Sequence, residues 1–239
     1  MISIVIPMYN EEAGCIECIE TLEREMSKAF DDFEIVAVSD GSTDNTKQIL
    51  SEADGKYPHL TVVAYDKNKG KGGAVRTGIL KARFATVLYT DCDLAYGTDI
   101  IKQMYDALIK SGCDIAIGSR NISKEGYEGY TFIRKLASKI YIRVICIAAG
   151  FSHSDSQCGI KCFTHNVAKS IFEKCEVNGF AFDLEALIFA ERMGYTIYEH
   201  PVTIINHNQG ESKVNIISDT IKMLSDLRII KKRAKRLGK

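Results

Sequence analysis

The stretch ATVLYTDCD, residues 85–93, places two aspartates directly after a short apolar run. Residues 85–90 have the composition of a strand that is buried on both faces of a sheet. A strand end can direct Asp91 and Asp93 at one hard cation, and Mg²⁺ or Mn²⁺ prefers such oxygen ligands while leaving positions open for substrate phosphates. An Asp-x-Asp triplet alone is usually a solvated turn, so its place after the strand makes it a candidate metal site.

The same strand-like pattern recurs along the first half of the chain and alternates with helical stretches. Further strands are predicted at residues 2–7, 34–39, 61–65 and 115–119, and helices at residues 12–30, 43–54, 72–84 and 98–111. Such alternation predicts an α/β fold with a mostly parallel sheet flanked by helices on both sides. Ligands of these folds bind beyond the carboxyl ends of the strands, which is where the polar motifs fall.

After residue 120 the pattern is looser. We expect helices over residues 136–151 and 182–193, a strand over 195–205, and a last helix from about residue 216. The predicted organisation is a single domain over residues 1–215, with a nucleotide-binding half (1–95) and an acceptor-side half (96–215). A basic amphipathic helix over residues 216–239 follows it, because residues 228–239 contain seven basic residues and no acidic one.

Composition narrows the class of protein. Thirty-one basic residues balance 31 acidic ones among 239, which gives no reason to expect a nucleic-acid partner. No apolar run reaches the roughly 18 to 20 residues that span a bilayer, and no signal peptide precedes residues 2–6. The eight scattered cysteines favour reduced thiols, and the Cys15/Cys18 pair favours structural thiols in a helix. We therefore expect a cytoplasmic protein whose basic end suits an anionic membrane surface, peripheral on the cytoplasmic face.

Two further motifs follow predicted strands. In SDGSTD, residues 39–44, Asp40 could accept hydrogen bonds from a base or ribose, while Ser42 or Thr43 could cap the next helix. In NKGKGG, residues 68–73, small residues let backbone amides approach phosphate oxygens and the lysines add charge, so the loop is a candidate diphosphate cradle. The loop lacks P-loop spacing and no GxGxxG follows the first strand, which argues against ATPases and dehydrogenases.

Three residues of the second half have explanations that need no ligand. Arg120 could bind a phosphate bidentately or form a structural salt bridge. Asp183 is typical of a helix cap, and Glu185 of a first-turn charge favoured by the helix dipole.

Taken in order, seven motifs resemble the glycosyltransferase family 2 enzymes of GT-A fold. They are IPMYNE (6–11), SDGSTD (39–44), NKGKGGAVRTG (68–78), DCD (91–93), GSR (118–120), SDSQCG (154–159) and FDLE (182–185). Within that family the chain is most similar to the polyisoprenyl-phosphate glycosyltransferases, which include dolichyl-phosphate glucose synthases and dolichyl-phosphate mannose synthases. The resemblance covers about residues 2 to 213.

The resemblance implies roles for individual residues. The residues that would hold the nucleoside are Pro7, Tyr9, Glu11 and Asp40, and those that would border the nucleotide are Gly70, Lys71, Gly72, Arg76 and Asp91. The ligands of Mg²⁺ or Mn²⁺ would be Asp91 and Asp93. The residues near the transferred sugar and the chemistry would be Asp93, Asp155, Gln157 and Arg120, and an acceptor phosphate would be bound by Arg120, Ser212 and Lys213.

The implied activity is transfer of a hexose, with inversion, from a nucleotide diphosphate sugar to a polyisoprenyl phosphate lipid. UDP-glucose is the favoured donor. One alternative is a polysaccharide or other hydroxyl acceptor, which would need a base, with Asp155 first and Asp183 second. A non-catalytic alternative is a nucleotide-sugar-binding adaptor. A sugar-1-phosphate nucleotidyltransferase is disfavoured because its glycine-rich N-terminal loop is missing from IPMYNE.

Overall fold

Seven strands and eight helices occur in the computed structural model, which describes residues 1–123, 125–126, 132–151, 153–205 and 216–237. In chain order they are β1 Ile2–Met8, α1 Cys15–Ala29, β2 Phe33–Asp40, α2 Thr46–Ala53, β3 Leu60–Tyr65, α3 Lys71–Lys81, β4 Thr86–Tyr89, α4 Asp99–Ser111, β5 Ile115–Ser119, α5 Phe132–Ala149, β6 Lys161–Thr164, α6 His165–Phe172, α7 Phe182–Arg192, β7 Ile197–Pro201 and α8 Ile216–Leu237.

The strands form one sheet in the order β3-β2-β1-β4-β6-β5-β7. Every neighbouring pair is parallel except the two pairs that include β6, which runs antiparallel to β4 and to β5. The predicted α/β fold with a mostly parallel sheet is confirmed.

Two apolar cores cover the two faces of the sheet. Along β1, Ile4 and Ile6 pack into the core that holds α1 and α4, whereas Val5 packs into the core that holds α3, α5, α6, α7 and α8. Successive side chains of a strand point to opposite faces, so a strand with helices on both sides is apolar along its length. Close packing of α3 on β1 needs Gly78, because a Cβ there would lie 2.3 Å from a methyl carbon of Val5.

The sequence patterns did not predict β6 and α6. Strand β6 has only four residues and pairs Lys161 with Tyr89 at the carboxyl end of β4. Because β6 is antiparallel, the segment before it, residues 154–160, lies at the edge of the sheet where the parallel strands end. The strand expected over residues 195–205 is shorter than predicted, since β7 pairs only with the five residues of β5.

The basic helix α8 packs on the protein through its apolar side. Among the α8 side chains that the structure describes, the buried ones recur at helical spacing and are Met223, Leu227, Ile230 and Ala234. On the same helix Arg233 forms ion pairs with Glu176 and with the buried Glu185 of α7. Helix α8 is therefore joined to the core, although it follows the expected domain. Among the described residues, no helix is both long enough and apolar enough to cross a membrane.

Candidate active site

A cavity of about 460 Å³ opens beyond the carboxyl ends of β1, β2 and β4. Its lining contains eight of the residues singled out from the sequence: Pro7, Tyr9, Glu11, Asp40, Gly70, Lys71, Asp91 and Asp93. These residues are up to 86 positions apart in the chain and meet because the three strands are neighbours and end at the same edge.

The carboxylate pair, Asp91 and Asp93, follows β4 at the cavity wall. Lys71, the first residue of α3, lies with its Nζ 2.6 Å from Asp91 Oδ1. On the other side of Asp91, a Cβ on Gly159 would lie 2.5 Å from Oδ2, so that only a glycine lets the residue 154–159 segment approach so closely. Asp93 Oδ1 accepts a hydrogen bond of 3.1 Å from the amide of Ala95.

The charges of this cluster perturb one another. Partial burial in the cleft raises the pKa of Asp93, and the neighbouring Asp91 carboxylate raises it further. Burial alone would lower the pKa of Lys71, but the carboxylates of Asp91 and Asp183 outweigh it and the pKa is raised. The Asp91 carboxylate thus disfavours ionisation of Asp93, and a bound cation would relieve this effect.

The carboxylate pair fits a hard divalent cation that is also bound by substrate. Two oxygen ligands from the protein suit Mg²⁺ or Mn²⁺, which commonly take the rest from phosphate and water. Across the described residues, no cluster of three or more His, Cys, Asp or Glu side chains that could hold a metal ion occurs. Asp91 and Asp93 would supply two of the ligands of such a cation, and a nucleotide diphosphate would supply others.

Asp40 holds the glycine and lysine loop in place. Its Oδ1 accepts hydrogen bonds from Tyr65 Oη at 2.7 Å and from the Lys69 amide at 2.8 Å, and its Oδ2 accepts one from the Gly70 amide at 2.9 Å. Gly70 has φ +91°, and a Cβ there would meet the carbonyl oxygen of Asn178 at 2.5 Å. The amides of Lys69 and Gly70 thus have hydrogen-bond partners within the protein, so they do not form the expected diphosphate cradle. The loop instead presents the side chain of Lys71 to the cavity.

Two predicted nucleotide residues lie behind the loop and outside the cavity lining. Gly72 packs against Phe182, and its amide donates to the carbonyl of Asn178 at 2.8 Å. Arg76 donates to the carbonyl of Cys175 at 2.6 Å and to Asn178 Oδ1 at 3.2 Å. Both residues brace the loop against residues 175–178.

Arg120 and Asp155 form a bidentate salt bridge, and neither residue is part of the cavity lining. Arg120 Nε donates to Asp155 Oδ2 at 2.8 Å and Nη2 donates to Oδ1 at 3.0 Å. Asp155 also accepts from the amides of Arg120 and Gln157 and is completely buried. Of the two explanations for Arg120, the structural salt bridge is present here. Gln157 Nε2 is buried without a hydrogen-bond partner among the described residues, as expected of a group that meets a ligand.

A second buried ion pair lies beneath the site. Lys161 is fully buried, and its Nζ donates to Asp183 Oδ1 and to the carbonyl of Cys158, each at 2.6 Å. Tyr89 Oη also donates to Asp183 Oδ1. The prediction that Asp183 caps a helix is wrong, because α7 has Ala181 at its N-cap and no side-chain cap. Glu185 does lie in the first turn, but it is buried and accepts from the amides of Glu176 and Val177.

Several lining residues were not found from the sequence, among them Phe180, Met223 and Asp226. Phe180, 46% exposed, lies just before α7, and Met223 and Asp226 belong to α8. Their sequence surroundings are an unremarkable turn and a basic helix, so no local signal marks them. Ser212 and Lys213, the expected acceptor ligands, lie outside the described residues.

A mostly parallel sheet with a carboxylate pair after β4 and a cavity at that edge is the arrangement of GT-A glycosyltransferases. The chain belongs to glycosyl transferase family 2, whose family model matches residues 3–162. The family and the GT-A fold expected from the motifs are both confirmed.

Named relatives extend over nearly the whole chain. The dolichyl-phosphate beta-glucosyltransferase ALG5A of Trichomonas vaginalis is 34% identical over 236 residues, which are 95% of this chain and 71% of that protein. The dolichyl-phosphate beta-glucosyltransferase of Saccharomyces cerevisiae is 33% identical over 251 residues, covering 96% of this chain and 74% of that protein.

A solved structure supports the fold. Glucosyl-3-phosphoglycerate synthase of Mycobacterium tuberculosis, crystallised with Mn²⁺, UDP and phosphoglyceric acid, superposes with a TM-score of 0.65 at 18% identity. The match covers 98% of this chain and 78% of that one.

Proposed function

We propose that this glycosyltransferase moves glucose, with inversion, from UDP-glucose to a polyisoprenyl phosphate. The names of its relatives support the lipid phosphate and the glucose. The observation that carries the choice of acceptor is that both carboxylates considered as bases, Asp155 and Asp183, are already committed to buried ion pairs.

A phosphate acceptor suits this arrangement. A hydroxyl acceptor must lose a proton to a base, whereas a lipid phosphate is already anionic near pH 7 and needs none. Both oxygens of Asp155 accept two hydrogen bonds each, and Asp183 Oδ1 accepts from Lys161 and Tyr89. We assign Asp155 the role of orienting Arg120 and Gln157 near the sugar and the acceptor. Ser212 and Lys213 remain proposed acceptor ligands.

The donor would lie in the cavity with its base near Pro7, Tyr9, Glu11 and Asp40. Tyr9 is 40% exposed and Phe180 is 46% exposed, and both line the cavity, so either residue would offer an aromatic face to a nucleobase. Gly70, Gly72 and Arg76 would act by holding Lys71 at the diphosphate. The residue 1–95 half would thus supply most donor contacts, and the 96–215 half the acceptor side.

Electrostatics favour the participation of Mg²⁺ or Mn²⁺. Carboxylates line the cavity at Glu11, Asp40, Asp91, Asp93 and Asp226, whereas Lys71 is the one basic residue among the lining positions described. An anionic diphosphate would be repelled from such a surface unless a cation intervened. When bound by the carboxylate pair, the metal would neutralise the charge on the departing diphosphate. Lys71 could turn its ammonium from Asp91 to a phosphate oxygen.

The assay that tests this function uses lipid extraction. Purified protein is incubated with Mn²⁺, a polyprenyl phosphate and, in parallel, labelled UDP-glucose, GDP-mannose or UDP-N-acetylglucosamine, and label in the organic phase is counted. We expect label from UDP-glucose to be extracted. Label that stays in water and moves to a polysaccharide would identify the hydroxyl-accepting alternative, and calorimetric binding of UDP without any transfer would identify the adaptor.

Asp155→Asn separates the two acceptor classes. If Asp155 only orients Arg120, we expect kcat/KM per folded molecule to change by less than about tenfold, whereas loss of a general base costs roughly 10²- to 10⁴-fold. Asp114→Asn is a matched control, because Asp114 also accepts hydrogen bonds but precedes β5, whereas Arg120 follows it. A loss of a thousandfold in Asp155→Asn alone would point to a hydroxyl acceptor.

The site of action would be peripheral, at the cytoplasmic face of a membrane. The acceptor lipid resides in a bilayer, and the basic residues of α8 favour an anionic surface.

A further inference from the structure

We propose that one surface, built from α5 and the second half of α8, docks this enzyme on an anionic bilayer. The docking face consists of Arg143, Val144 and Ile147 of α5 with Arg228, Lys231 and Lys235 of α8. This inference rests on the proposed function, since it specifies how the enzyme reaches a lipid acceptor.

The first observation is exposed aliphatic surface on α5. Ile142, Ile145 and Cys146 are buried against the core, but Val144 is 48% exposed and Ile147 is 66% exposed. A helix on the surface of a water-soluble protein usually carries polar side chains on its outer side. Covering aliphatic residues on that side with an apolar phase lowers the free energy, because it removes apolar surface from water.

The second observation is charge. Helix α5 contains four basic residues and no acidic one, and α8 from Arg228 onwards contains six basic residues and no acidic one, in a chain of zero net charge. Of these six, Arg233 turns inward to Glu185, while Arg228, Lys231 and Lys235 are exposed. Positive charge beside exposed aliphatic groups is the combination that binds anionic lipid headgroups.

The third observation joins the two helices and relates them to the active site. Lys231 Nζ donates to the carbonyl of Ala148 near the end of α5, one turn from Val144. On α8, Asp226 lines the donor cavity and Lys231 lies five residues later, about 7.5 Å along the helix axis. A bilayer on the docking face would therefore present lipid phosphates close to the cavity.

A nucleic acid is the less suitable partner for this face. Phosphate backbones attract lysine and arginine but gain nothing from Ile147 or Val144, whereas the headgroup region of a bilayer accepts both kinds of side chain.

The test is co-sedimentation with phosphatidylcholine vesicles that do or do not contain phosphatidylserine. The wild-type protein should bind only the anionic vesicles. For Ile147→Glu/Lys231→Glu we expect the partition coefficient to fall at least tenfold, because losing one basic residue near the surface alone costs about fivefold. Both positions are exposed, and the hydrogen bond from Lys231 to the Ala148 carbonyl lies at the surface, so circular dichroism should match the wild type and the melting temperature should change little.

The matched control is Ile109→Glu/Lys110→Glu on α4. Ile109 is 58% exposed, Lys110 is exposed, and α4 packs on the opposite face of the sheet. Its vesicle binding should stay within about twofold of the wild type, because charges beyond a Debye length from the bilayer are screened. The docking face would be overturned if both variants lost vesicle binding equally or if neither lost it. It would also be overturned if the wild-type protein bound neutral vesicles as well as anionic ones, or bound duplex DNA instead of vesicles.

A transfer assay separates failure of this inference from failure of the proposed function. With a short-chain polyprenyl phosphate dissolved in detergent, Ile147→Glu/Lys231→Glu should transfer glucose as the wild type does, but it should lose activity on vesicles that contain the lipid acceptor. If neither the wild type nor any variant transfers glucose in detergent while Ile147→Glu/Lys231→Glu still loses vesicle binding, the proposed function fails and the docking face stands. If Ile147→Glu/Lys231→Glu and the Ile109→Glu/Lys110→Glu control are equally active on vesicles, the docking face is contradicted.

Discussion

Asp91→Ala is expected to lower kcat/KM for sugar transfer by about 10³-fold or more and to remove the metal dependence of UDP binding. The reason is that a cation held by the carboxylate pair would stabilise the departing diphosphate by several kcal/mol, and each 1.36 kcal/mol corresponds to a factor of ten in rate. Transfer rates and calorimetric titration of UDP with and without Mn²⁺ measure the two effects.

Asp91→Ala should fold as the wild type does, so its loss of activity would not come from unfolding. Asp91 pairs with Lys71, but the two side chains are 34% and 29% exposed, and partly exposed ion pairs typically contribute less than about 1 kcal/mol. Asp99→Ala, an exposed aspartate in the first turn of α4, is the control and should retain full activity. If Asp91→Ala keeps activity within tenfold of the wild type, the metal role assigned to the carboxylate pair is wrong.

Lys161→Met is expected to have the largest effect on stability, lowering the free energy of unfolding by about 3 to 5 kcal/mol. Lys161 is fully buried and Asp183 is 5% exposed, so removal of the ammonium leaves a buried carboxylate whose remaining side-chain donor, among the described residues, is Tyr89. The lost hydrogen bond to Cys158 also loosens the segment that lies against Asp91. Urea unfolding followed by circular dichroism gives the value.

A double variant tests whether the uncompensated charge is the cause. Lys161→Met/Asp183→Leu removes both charges, and replacing a buried pair by apolar residues is often neutral or stabilising. We expect it to regain most of the lost stability. A double variant as unstable as Lys161→Met would show that packing, not charge, dominates this position.

Motifs at strand ends were predictable, since a buried parallel strand has a clear apolar signature and its polar continuation must lie at the edge of the sheet. The partners of those motifs were not. From the sequence, Asp183 stands where a helix cap is expected. Its ion-pair partner, Lys161, could not be predicted because it lies on a four-residue antiparallel strand that has no periodic pattern.

Local sequence was also misleading at residues 42–43. Ser42 accepts a hydrogen bond from the Asn10 amide, and Thr43 Oγ1 and its amide bond the Asn10 side chain, so they tie two loops together. Helix α2 begins later, at Thr46, with no side-chain cap. Short polar side chains satisfy whichever backbone groups tertiary structure brings near, and that choice is not encoded in their neighbours.

The pairing of Arg233 with Glu185 has a genetic consequence. A stop codon anywhere from position 216 to 233 would spare every motif by which the family is recognised, yet it would leave the Glu185 carboxylate buried without its guanidinium and delete part or all of the helix that carries Met223 and Asp226. Truncations that spare every recognised motif are often regarded as mild. Here they would be as damaging as loss of Asp91 and Asp93, the proposed metal ligands.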